Sequence, residues 1–168
     1  MSSIADSGPP IHLQQIRRLD LLATVSPLTI PKQVQAELVG TNVWKALRRL
    51  RRLDVRLQRV SVSTINRERR RSGIGQLSEA GVAVLVLARR SPNDLVLTDD
   101  LHLRRRVEDI PRRVVGSVGI LVRAYRLKKI GSFQLRRGIN ELLDNSSLYL
   151  SRAFRQKVWA LIQQLEGR

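Results

Sequence analysis

The 168-residue chain is long enough to bury a substantial core and contains no cysteine, which excludes disulfides, a thiolate zinc site and a cysteine nucleophile. Lys and Arg number 31 against 14 Asp and Glu, a net charge of +17 carried mostly by arginine, whose planar donor fork suits phosphate oxygens, so nucleic acid or an acidic protein is the expected partner. The start lacks a signal-peptide pattern and the longest apolar stretch, Ala80 to Ala88, is too short to span a bilayer, so one domain over residues 1–168 in a reducing cytoplasm, with no membrane partner, is expected.

In chain order, Leu13, Ile16, Leu19 and Leu22 recur at helical spacing after Pro9-Pro10 and predict a first helix over Ile11 to Thr24. Leu28-Thr29-Ile30 reads as a short strand stopped by Pro31, which opens a helix through Val34, Leu38 and Val39 to Gly40. Trp44, Leu47 and Leu50 mark a third, strongly basic helix, and Val55 to Ser63 is β-rich. Arg67 to Gly75, with Gly73-Ile74-Gly75 at its end, reads as a mobile loop and has no strand-turn-helix context for a phosphate-binding glycine motif.

Glu79 to Arg90 predicts a helix buried on most sides, and Leu95 to Thr98, after Asn93-Asp94, a buried strand ending on Asp99-Asp100. Val114-Val115 repeats the strand pattern. Ser117, Ser132 and Ser151 are candidate caps of three further helices, the last placing Phe154, Val158, Leu161, Ile162 and Leu165 on one face. Short strands alternating with helices predict an α/β fold with a mainly parallel sheet covered on both faces, whose ligands sit beyond the carboxyl ends of the strands.

With acids this scarce, their placement is informative. Asp6 follows Ile4-Ala5, Glu37 lies on the helix after the second strand, Glu79 opens the buried helix, and Asp99 and Asp100 close a strand. On one edge of a parallel sheet such carboxylates would repel one another unless a cation intervened, and all-oxygen ligation favours Mg²⁺ or Mn²⁺. Each acid has an ordinary structural reading too, as a helix cap or a solvated residue.

These segments together resemble a family. Asp6-Ser7-Gly8-Pro9-Pro10-Ile11-His12-Leu13, with Ile16 and Leu19-Asp20-Leu21-Leu22, resembles the opening motif of PIN-domain proteins, where an Asp ends the first strand and a hydroxyl residue follows. Ile30-Pro31 with Val34 and Glu37 resembles the second motif, Ser78-Glu79-Ala80 with Ala83 and Ala88 the third, and Leu97-Thr98-Asp99-Asp100 the fourth. Val115 to Leu121 with Ala124, and Leu148 to Ser151, resemble a VapC-like branch, while Trp44 to Gln76 matches least.

The resemblance implies a three-layer α/β/α PIN-like domain and metal-dependent hydrolysis of RNA by the toxin of a toxin and antitoxin pair. Asp6, Glu37, Glu79 and one or both of Asp99 and Asp100 would be the catalytic, metal-holding acids, with Ser7 in support. Implied partners are RNA, a small acidic antitoxin and, as in PIN relatives, a second copy of the chain. Arg104, Arg105 and Arg106 follow the fourth motif and are expected to guide RNA phosphates. The chain departs from the family pattern in its short first strand, at Pro10, at Ser78 in place of Gly, and at Gly81, where a second acid is often found. A degenerate PIN fold that only binds RNA or anchors an assembly is therefore the alternative. A DNA-binding regulator is disfavoured by the absence of a helix-turn-helix pattern. His12 is expected to pack or cap, His102 has no motif, and the scattered aromatics are expected in core or interface packing.

Overall fold

The computed structural model describes residues 2–73, 75–92, 94–110 and 112–167, so Asn93 and Ile74 lie outside the described residues. Strand β1 (Ser3–Ala5) leads to Asp6 and then to α1 (Gly8–Gln15). Pro9 and Pro10 sit in the first turn of that helix, where a missing N–H breaks no bond. The single helix expected over Ile11 to Thr24 is two pieces: Arg17 adopts a left-handed φ of 56°, and a 3-10 segment (Leu19–Val25) follows. The apolar period survives the break, and Leu13, Ile16, Leu19 and Leu22 are all buried.

β2 (Leu28–Pro31) and α2 (Lys32–Gly40) match expectation, with Val34 and Leu38 buried, although Val39 faces solvent. α3 (Val43–Arg49) buries Val43 and Leu47. The β-rich stretch shortens to β3 (Val55–Gln58), because the Ser61 hydroxyl accepts the Thr64 N–H and starts α4 (Val62–Ser72). The mobile loop expected over Arg67 to Gly75 is thus corrected. Arginine is a good helix former, and Glu68 is held inside by Arg89 at 3.0 Å and the Ser72 hydroxyl at 2.7 Å; the helix ends at Gly73 (φ 59°).

α5 (Glu79–Arg90) has the predicted bounds, is capped by Ser78 and buries every residue from Ala80 to Ala88. After β4 (Leu95–Leu97) comes α6 (Leu101–Glu108), a helix that sequence reading missed because only Leu103 and Val107 turn inward between arginines. β5 (Val114–Val115), α7 (Ser117–Arg126), α8 (Ser132–Asn145) and α9 (Arg152–Glu166) complete the chain. Ser151 caps α9 as expected, but α7 and α8 have Gly116 and Gly131 at their N-caps instead of Ser117 and Ser132. Of the aromatics expected in core or interface packing, Trp44, Tyr125 and Trp159 pack against the core, whereas Phe133 and Tyr149 are 76% and 87% exposed and Phe154 also faces solvent.

The five strands form one sheet in the order β3-β2-β1-β4-β5, and every pairing is parallel. Helices cover it and one contiguous apolar core joins the layers, giving the three-layer arrangement. Strand order reverses at β1, which pairs with β2 on one side and β4 on the other, so the crevice between the ends of β1 and β4 is where this class of sheet takes ligands. At the β3 edge the side chains are largely exposed and Arg56 stands among them, a charge that discourages pairing with another sheet.

Candidate active site

Asp6 stands where β1 ends, its N–H bonded to the Leu97 carbonyl of β4 at 2.9 Å. Only 9% of the residue is exposed. The Thr98 hydroxyl donates to Asp6 Oδ2 at 2.9 Å and accepts the Asp100 N–H at 3.1 Å, so one threonine ties the two acids together across the switch point. Burial pushes the Asp6 carboxyl up from 3.8 to about 6; the hydrogen bonds from Thr98 and the Ser7 amide oppose this, and the charges of Glu37 and Asp100 add to it. Ser7 thus donates to Asp6 through its backbone amide.

Asp100 is the N-cap of α6: its Oδ1 accepts the N–H groups of His102 at 2.6 Å and Leu103 at 3.2 Å. Glu37 is exposed on α2 and projects its charge toward Asp6. The charges of Glu37 and Asp100 thus both act on Asp6, and Thr98 links Asp6 to Asp100. Glu79 is exposed at the start of α5 and is not among the charges acting on Asp6. Among the described residues no three His, Asp or Glu side chains stand close enough to form a ready-made metal cage.

Asp99 points elsewhere. Its Oδ2 accepts from His12 Nδ1 at 2.8 Å and from the Ser117 hydroxyl, and its Oδ1 accepts the Ser117 N–H at 2.8 Å. His12 is therefore a partner of Asp99, with the ring largely covered, and Ser117 serves the same carboxylate from the first turn of α7. Neither role was legible, since His12 and Ser117 are distant in sequence from Asp99 and each had a bland local reading. Gly116 is required here for space: a Cβ would fall far inside van der Waals contact with Asp99 Oδ1.

The three arginines of α6 do not act as one. Arg104 leans back, donating to the Thr98 carbonyl at 3.3 Å, whereas Arg105 is exposed and Arg106 is within 3.7 Å of Asp109. Successive helical residues point about 100° apart, which is why the run cannot line a single groove.

Asp6 and Asp100, linked through Thr98 at the switch point of a parallel α/β sheet, mark the class of protein. The PIN-domain family model (DUF3368) matches residues 2–164, and the chain belongs to the PIN-domain family. No curated protein and no solved structure matches it. PIN domains are generally nucleases and generally use divalent metal ions.

Proposed function

We propose that the protein is a metal-dependent endoribonuclease, the toxin of a VapBC-like pair, whose ion-holding acids are Asp6, Glu37 and Asp100. The observation that carries the reading is the Asp6 carboxyl at the switch point, pushed up to about 6 chiefly by burial, with a smaller contribution from repulsion by Glu37 and Asp100. A divalent cation relieves that repulsion, and Mg²⁺ or Mn²⁺ can be held by one or two carboxylates with water filling the remaining positions, so the donor set fits without a closed cage. When bound, such an ion activates water and stabilises the charge developing on a phosphodiester. Thr98 fixes the Asp6 carboxylate, the first amides of α6 fix Asp100, and Arg104 leaves cationic charge beside both. Glu79 at the start of α5 is a secondary candidate, and Asp99, whose carboxylate accepts from His12 and Ser117, is the less favoured of the adjacent pair.

The test is cleavage of RNA by purified protein. It should require Mg²⁺ or Mn²⁺, stop with EDTA, and fall at least about a hundredfold in Asp6→Asn, Glu37→Gln and Asp100→Asn. Undiminished cleavage in EDTA or in Asp6→Asn would overturn the metal reading. The lack of three converging acids among the described residues favours one other function, a degenerate PIN fold that binds RNA without cutting it. Retained RNA binding with no Mn²⁺ uptake and no cleavage would select it. The antitoxin would be a small acidic protein covering the basic face in the cytoplasm. Co-expression of an acidic reading frame adjacent to the gene should restore growth arrested by the chain alone. A second copy of the chain is the remaining proposed partner, checked by sedimentation.

A further inference from the structure

The end of the molecule opposite the acids carries a second concentration of positive charge. α7 starts at Ser117, which holds Asp99, and runs to Arg126, so its far end lies about 15 Å from that edge. α1 likewise starts two residues after Asp6 and leads away toward Arg17, and α8 packs against both helices. Two open hollows adjoin where these ends meet, with Gln134 of α8 common to both. Arg126, Lys128 and Lys129 line the first, of about 510 Å³, and Arg17, Arg18 and Arg137 line the second, of about 580 Å³. All of these cations are exposed except Arg18, which is half-buried and within 3.5 Å of Asp20. Among the described residues the one acid on either lining is Glu141, and Arg137 already engages it at 2.8 Å.

Phe133, in the first turn of α8, lines the second hollow one turn from Arg137, and 76% of it is exposed. A ring so exposed contributes little to the core. The centre of a protein–protein interface is depleted of charge, whereas Phe133 stands among cations. An aromatic ring within a basic groove is instead what single-stranded nucleic acid requires: a base stacks on the ring and the flanking phosphates meet Arg and Lys. Resting on the reading that RNA is the substrate, we propose that this surface is an exosite for single-stranded RNA, where Phe133 stacks one base and Arg17, Arg126, Lys128 and Lys129 hold the phosphates around it. A long strand can occupy the exosite and the acidic edge together; a dinucleotide is too short to bridge them.

The experiment measures binding of a long fluorescent oligouridylate, and of an RNA duplex of the same length, to the full chain in EDTA. Phe133→Ala should bind the single strand about tenfold more weakly, because stacking needs an unpaired base, and bind the duplex unchanged. It should melt within about 2 °C of wild type, and Phe133→Trp should retain the single-strand affinity. Arg126→Gln with Lys129→Gln should weaken both ligands and make the salt slope on the single strand shallower by about 1.4, two phosphate contacts' worth. Equal losses of single strand and duplex in Phe133→Ala, no loss of either, or an unchanged salt slope in the double variant would overturn the proposal. Wild-type RNA affinity in both variants, with lost binding of the acidic protein encoded beside the gene, would also overturn it and assign the surface to that protein. In Mg²⁺, Phe133→Ala should raise KM for the long oligomer about tenfold and leave cleavage of a uridylyl dinucleotide unchanged. Single-strand binding that depends on Phe133 in a chain that never cuts RNA would sink the nuclease reading and uphold the exosite; cleavage of long RNA indifferent to Phe133 would do the reverse.

Discussion

Asp6 concentrates the physics of the site. Its carboxyl is raised in the folded chain from 3.8 to about 6, so the native state holds a proton that the unfolded state has already released. The destabilisation from Asp6 is therefore absent below pH about 4, grows between about 4 and 6, and is complete above 6, where it amounts to roughly 2–3 kcal/mol. Asp6→Asn should gain little or nothing at pH 4 and up to about that amount at pH 7.5, read from urea unfolding at the two values. Mg²⁺ should raise the melting temperature of wild type at pH 7.5 and leave Asp6→Asn unmoved. A large loss of stability in Asp6→Asn at both pH values would show a bracing role instead. The neighbouring acids divide by what surrounds them: Asp100→Asn keeps an acceptor for the α6 cap yet loses the charge facing Asp6, whereas Asp99→Asn breaks a buried cluster. The first should cost activity at nearly unchanged stability, and the second should cost about 1–3 kcal/mol in the same unfolding assay.

At the scale of elements, the turns after β4 and β5 decide where the acids point. Gly116 lets the start of α7 close onto Asp99, and Gly116→Ala should expel that carboxylate, costing about 1–3 kcal/mol and lowering cleavage although Gly116 touches no substrate. α5 carries the core: Ala80 to Ala88 are all buried, and Leu85 is fully enclosed. Leu85→Ala should cost about 2–5 kcal/mol in chemical denaturation. α6 sets the reach of its arginines. Both arginines have an acid of their own helix or its end nearby, Arg104 with Glu108 at 3.8 Å and Arg106 with Asp109 at 3.7 Å, so the difference is position: Arg104→Ala should weaken RNA binding more than Arg106→Ala because Arg104 also reaches the Thr98 carbonyl beside the acids. Equal effects would mean that only total charge matters. The loop expected at Arg67 to Gly75 was misread for a reason at this scale, since its helix is defined by Ile65 and Glu68 turning inward, and a buried glutamate paired with Arg89 from another helix leaves no apolar period in the sequence.

Across the whole molecule the ribonuclease reading and the charge of +17 together predict that phosphate contact is the main source of RNA affinity, so log affinity should fall linearly with log salt at about −0.7 per contacted phosphate on single strands. An affinity flat between low and high salt would remove electrostatics as the driving term. Among the described residues no helix is long and apolar enough to cross a membrane.

The sequence by itself determined the alternation of short apolar strands with helices, the parallel sheet this implies, the bounds of α5, and the position of Asp6, Asp99 and Asp100 at strand ends. Those features depend on residues adjacent in the chain, whose period and punctuation are local properties. Only the tertiary structure decided that Asp100 faces Asp6 while Asp99 turns to His12 and Ser117, and that Glu79 stands apart. The direction in which a carboxylate points is set by hydrogen-bond partners 18 and 87 residues away, and no local pattern encodes which of two adjacent aspartates will find them.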